Sequence, residues 1–89
     1  MKTYVHDPQA ILDYRWNWSA WAGTDQIVGH EIIAPPGVTI VEQTRDGAAV
    51  TAIIGPCASS PTPYTVTCRV QTVSGLSDDR SIRLLVRET

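Results

Sequence analysis

From Ala10 to Ser19 the chain largely alternates between apolar and polar residues. Ala10, Leu12, Tyr14, Trp16 and Trp18 fall on one face, and Asp13, Arg15, Asn17 and Ser19 on the other. A period of two is the mark of a half-buried β-strand, and the aromatic enrichment supports that assignment. All three tryptophans lie within residues 12–21, and the chain has no phenylalanine. Each large aromatic buries about 150–250 Å², so this strand, placed at 9–19, is expected to be the spine of the core, with Trp16 inside it. Trp21 lies past Ala20, where the alternation breaks, and is a candidate contact residue.

The same reading places the remaining elements. Residues 26–34 predict a second strand, with Gly29 admitting a bulge or a close backbone approach. Pro35-Pro36-Gly37 predicts a sharp turn, Pro36 and Gly37 fitting the central positions of type II. A two-residue Asp46-Gly47 hairpin turn would set Ile40 against Ile53 and Gln43 against Val50, mixing polar and apolar on both faces. A three-residue Arg45-Asp46-Gly47 loop instead sets Val38, Ile40 and Glu42 against Ile54, Ala52 and Val50, a nearly clean apolar face. Thr39, Val41, Gln43, Ala49, Thr51 and Ile53 then share the other face. That face is greasy for one meeting only water, which points to a covering partner.

Residues 55–63, rich in Pro and Ser, predict a crossover loop. Tyr64–Thr72 is the cleanest strand, with Tyr64, Val66, Cys68 and Val70 inward and Thr65, Thr67, Arg69 and Gln71 outward. A loop at Ser74-Gly75 leads to a last strand over Arg80–Arg87, with Ile82, Leu84 and Val86 inward. If Val70 pairs with Ile82, Arg69 lies opposite Arg83, and such opposed like charges call for an acidic neighbour, from Glu31 or Glu42 or from a partner. Six strands, sharp turns and no helical period predict an all-β sandwich. Residues 1–8 are polar and end in Asp7-Pro8, so they are expected to form an N-terminal arm, ordered only when bound. Residues 9–89 then form a single sandwich domain.

Composition narrows the function more than it identifies it. A formal charge of −2 does not point to nucleic acid or a membrane surface. Six of the seven basic residues are Arg, the residue favoured for planar contacts to carboxylates and enriched in interfaces. The first eight residues lack the apolar stretch of a signal peptide, and no run approaches a membrane helix. Synthesis in a reducing cytoplasm is therefore expected, with Cys57 and Cys68 as free thiols. Two cysteines and two distant histidines make no metal-ligand spacing. Ser19, Ser59, Ser60 and Ser74 lack the setting of a nucleophile elbow, and no glycine-rich loop is present to cradle phosphate. Neither an enzyme nor a cofactor is expected.

Asp7-Pro8-Gln9-Ala10-Ile11-Leu12-Asp13-Tyr14, followed by Trp18-Ser19-Ala20-Trp21, resembles a family of small tailed-phage proteins described as fiber–tail adaptors or minor virion proteins. The likeness continues through the mid-chain Pro-Pro-Gly turn, Tyr64–Val70, Ser74-Gly75 and Asp78–Ile82, so it covers about residues 7 to 87. It implies an immunoglobulin-like sandwich of six to seven strands in the virion, near the tail or head–tail junction. It also implies repetition around the tail axis, against an adaptor or portal ring, tail or fibre. The resemblance carries no catalytic residue. Tyr64, two residues before the core position Val66, also matches the tyrosine corner of immunoglobulin-like domains, while the antibody Cys–Trp–Cys arrangement is absent. Candidate interface residues are Tyr4 and Val5 in the arm, Trp21, Val41 and Ile53 on the middle hairpin, and Arg69, Arg83, Leu85 and Arg87 on the last one. A different class of function, a carbohydrate- or surface-binding module, would use Trp18 and Trp21 as a stacking platform.

Overall fold

The computed structural model describes residues 1–88. Seven strands and one helical turn follow in order: β1 (Thr3–His6), β2 (Leu12–Asn17), α1 (Ser19–Ala22), β3 (Ile27–Ile33), β4 (Ile40–Asp46), β5 (Ala49–Ile54), β6 (Tyr64–Thr72) and β7 (Ser77–Val86). They make two sheets, one in the order β1-β7-β6-β3 and the other β2-β5-β4. The core between them is the alternating set foreseen for β2, β5 and β6. Tyr14, Trp16, Val50, Ala52, Ile54, Val66, Cys68 and Val70 are all buried, together with Trp18, Leu84 and Val86. The all-β sandwich is as expected, and the β1–β7 pair is parallel where all others are antiparallel.

The expected N-terminal arm is a strand. Thr3, Tyr4, Val5 and His6 pair with Arg83, Leu84, Leu85 and Val86 along the otherwise open edge of β7. Bonds from Arg83 N to Lys2 O (2.8 Å) and from Arg87 N to His6 O (3.2 Å) lock the register at both ends. His6 is fully buried. Its Nε2 faces two carbonyls, Gly55 O at 3.1 Å and Ala10 O at 3.2 Å. Carbonyls only accept, so Nε2 carries the proton and Nδ1 accepts from the Tyr14 hydroxyl at 2.8 Å. The satisfied imidazole thus joins β1, β2 and the end of β5.

β2 is shorter than the 9–19 span expected. After Asn17 the chain turns into α1, where the Asn17 side-chain oxygen accepts from Ser19 N at 3.0 Å. Gly23, at φ +60°, closes that turn. β3 carries the bulge foreseen at its glycine, the register shifting between Ile27 and Gly29. Pro36-Gly37 forms the expected turn: Val38 N bonds Pro35 O at 3.3 Å and Gly37 has φ +99°. The Tyr64 hydroxyl donates to Ala58 O at 2.8 Å, six residues upstream, as a tyrosine corner does.

Both hairpin registers differ from expectation. Asp46 pairs with Ala49, so the β4–β5 turn is the two residues Gly47-Ala48 rather than Arg45-Asp46-Gly47. Gly47 has φ +60° and among the described residues no non-glycine has positive φ, the pattern of a type II′ turn with glycine first. This register alone would turn Ile40 outward. A bulge that skips Val41 restores parity, so Ile40 pairs with Ile54 while Glu42 pairs with Ile53. In the β6–β7 hairpin, Val66 rather than Val70 lies opposite Ile82, a slip of four residues. An even slip leaves every side chain on its expected face but replaces Arg83 opposite Arg69 by Asp79. β7 therefore begins at Ser77, and Asp78-Asp79, with the look of turn residues, belongs to the strand.

Candidate functional site

The nine candidate interface residues separate into five regions. On the outer face of the four-stranded sheet, Val5 of β1 lies beside Leu85 of β7, and Arg83 sits between Thr3 and Thr65. Arg87 follows two residues beyond Leu85. Val5 is 44% exposed. Neither Arg83 nor Arg87 has an ion-pair partner among the described residues. Two guanidiniums, one on β7 and one just past its end, thus flank an apolar pair on this face.

Arg69 does not join that patch. Its Nε and Nη2 donate to Asp79 Oδ1 (2.8 Å) and Oδ2 (3.1 Å), and Nη1 lies 3.8 Å from Glu31 Oε1. The expected opposition of Arg69 to Arg83 is absent, so no carboxylate is needed to relieve it; Arg69 is held by Asp79 of the same hairpin, with Glu31 farther off and Glu42 on the other sheet. The hydrogen bonds from Arg69 hold the Asp79 carboxyl below its usual pKa. With its fork already filled, Arg69 has little left to offer a partner.

On the outer face of the three-stranded sheet, Ile53 lies between Asp13 of β2 and Glu42 of β4. The bulge keeps Val41 on this side, where its Cγ2 lies 2.7 Å from where a Cβ on Gly55 would be. Any larger residue at 55 would displace Val41, which is 55% exposed. The shared face foreseen for Val41 and Ile53 is therefore present, although through a different register. Asp13 and Glu42, whose importance the sequence reading missed, flank this apolar pair as the arginines flank the other. The signal was available in principle, since Asp13 is on the polar face of β2, but it needed the cross-strand register.

Tyr4 and Trp21 lie elsewhere. Tyr4 packs edge-on against Tyr14 at 5.3 Å and lines a groove of about 420 Å³ between β1 and β2 that Val5 borders from the arginine side and Asp13 from the other sheet. Trp21 packs edge-on against Trp18, ring centroids 5.3 Å apart and planes at 70°. Trp18 itself is fully buried with the Arg80 guanidinium 4.4 Å over its ring. Two rings at this angle, one of them covered, do not make the flat platform on which a sugar would stack.

Cys57 and Cys68 are free and buried, and burial pushes both thiols above their usual pKa. Both should therefore react with iodoacetamide at neutral pH at least about tenfold more slowly in the folded protein than in denaturant. Mass spectrometry of timed, quenched samples checks this, and rapid double labelling of the folded chain would contradict it. Among the described residues no group of three His, Cys, Asp or Glu side chains is placed to hold a metal, and no helix is long and apolar enough to cross a membrane.

Fold and surface together define an immunoglobulin-like β-sandwich whose outer faces carry compact apolar patches bordered by charge. A solved structure of similar shape is the solution structure of the PKD domain from KIAA 1837 protein, with a TM-score of 0.56 at 16% identity, covering 98% of this chain and 79% of that one. At that identity the likeness concerns the fold alone. No curated protein matches the chain. The sequence profile of the podophage GP4 fiber-tail adaptor protein gp77 matches residues 6–85. The chain belongs to this fiber–tail adaptor family, as the resemblance in its Asp-Pro and Trp-Ser segments implied.

Proposed function

We propose that this chain is a non-enzymatic structural subunit of the virion that bridges a tail or adaptor ring to a fibre or neighbouring component. It works in several copies around the tail, contacts other virion proteins rather than nucleic acid or membrane, and is made in the host cytoplasm before assembly. The observation carrying this reading is the patch of Val5, Arg83, Leu85 and Arg87. An apolar centre with unpaired arginines has the composition of a protein interface, and it lies on a rigid sheet that can hold it in fixed geometry.

The test is incorporation into particles. Arg83→Glu/Arg87→Glu alters only exposed side chains, so the variant is expected to fold with a near-native melting temperature yet be depleted from purified particles by on the order of tenfold or more. Incorporation at the normal level would refute the assignment of this face. Deleting residues 1–7 is a poor probe of docking, because it removes β1 and the buried His6.

A further inference from the structure

We infer that the surface received by the Val5–Arg83–Leu85–Arg87 patch belongs to a second copy of the same chain, and that it is the patch of Asp13, Val41, Glu42 and Ile53 on the opposite side of the sandwich. The inference rests on the adaptor reading in taking the arginine face as a docking face, and it names the partner. The two patches are complementary in composition. One is an apolar pair, Val5 and Leu85, bordered by two guanidiniums; the other is an apolar pair, Val41 and Ile53, bordered by two carboxylates. None of these four charged groups has an ion-pair partner among the described residues.

Their spacings also correspond. Arg83 and Arg87 are four residues apart along one chain direction, a separation of about 13 Å at the usual strand rise. Asp13 and Glu42 lie on either side of Ile53, two strand spacings or about 10 Å apart across the sheet. If the two sheets cross at a steep angle, as packed sheets can, both arginines reach a carboxylate while the apolar pairs meet between them. The remaining charges on the acidic face are Arg15 and Asp46. With Asp13 and Glu42 they leave it net negative.

The geometry also excludes the simplest alternative for a second copy. A two-fold contact of the arginine face with itself would set guanidinium against guanidinium, and like charges across an interface are repulsive. A contact between unlike patches is heterologous, and because they lie on opposite faces, a docked pair still leaves one patch of each kind free. Such a contact propagates, closing into a ring or continuing as a filament. Each patch is small, so a single contact is weak and the assembly gains from repetition.

The experiment uses the purified full chain at low ionic strength. The wild type is expected to associate with rising concentration in sedimentation velocity, and to dissociate as salt screens the charges. Arg83→Glu/Arg87→Glu makes both faces acidic, and Asp13→Arg/Glu42→Arg makes both basic. Each alone should associate at least about tenfold more weakly, whereas an equimolar mixture should regain association, because every contact then joins unlike faces. Should the arginine replacements unfold the chain, Asp13→Asn/Glu42→Gln serves as the milder variant and should weaken association in the same direction. A wild type that stays monomeric throughout, an acidic-face variant that associates normally, or a mixture that fails to recover would overturn the copy-to-copy contact. The adaptor reading is judged separately in particles. Loss of the arginine variant with normal incorporation of the Asp13/Glu42 variant leaves the docking face standing but gives it a different partner. Normal incorporation of both removes both assignments.

Discussion

Truncating Trp18 to alanine is expected to lower stability by about 3–5 kcal/mol, the range for removing a buried large aromatic. Trp18 has no exposed surface. It meets Trp21 edge-on at 5.3 Å, lies under the Arg80 guanidinium at 4.4 Å, and bonds Ala48 O through its backbone nitrogen at 2.8 Å. Its removal therefore opens a cavity and releases both Trp21 and Arg80, which ties α1 to β7. In a domain of this size each kcal/mol corresponds to about 4–8 °C, so the melting temperature should fall by at least about 12 °C. Trp16→Ala is expected to be comparably severe. Thermal denaturation followed by circular dichroism checks both, and an unchanged melting temperature would show that these indoles do not hold the core.

The second large effect is expected at His6. His6→Leu fills most of the same space but offers nothing to Ala10 O, Gly55 O or the Tyr14 hydroxyl. A buried polar group deprived of its partner costs about 1–3 kcal/mol. With these groups affected together, a loss of about 3 kcal/mol or more is expected from urea denaturation. Tyr14→Phe removes one bond of the same network and should cost about 1 kcal/mol. The two changes share that bond, so the double variant should be more stable than the sum of losses implies, by about 0.5–1 kcal/mol. Strict additivity would mean that the 2.8 Å contact contributes nothing.

These two residues also mark what the amino-acid pattern reveals and what it conceals. Trp16 and Trp18 announce themselves by alternation, because burial of one strand face depends on local period. The Tyr64–Thr72 strand, the bulge at Gly29 and the Pro36-Gly37 turn are likewise written in neighbouring residues. His6 is not, because what makes it a core residue is satisfaction by groups at positions 10, 14 and 55. The same holds for β1 as a whole, whose partner lies about eighty residues later in the chain. Register is concealed for a related reason. Asp78-Asp79 has turn composition, and only the pairing of Asp79 with Arg69 shows it to be strand. Of the candidate site, the positions of Arg83 and Leu85 on β7 were legible from parity alone, since a slip of four residues does not change the face. Val41 and Ile53 reached their common face through a bulge that no local rule required, and Asp13 and Glu42 joined them only through the observed pairing.

The parallel pairing of β1 with β7 has a mechanical consequence. Thr3 lies beside Arg83 and His6 beside Val86, so the two terminal strands run side by side in the same direction. A pull applied ahead of Thr3 and beyond Val86 draws them past one another along their length. The backbone bonds between them are then loaded together in shear, whereas an antiparallel terminal pair pulled from its open end would unzip bond by bond. The tension borne before rupture is shared across the whole four-residue strand, and the imidazole of His6 anchors that strand to the opposite sheet. A chain pulled through these two ends would have to break this seam before the rest of the sandwich could unravel.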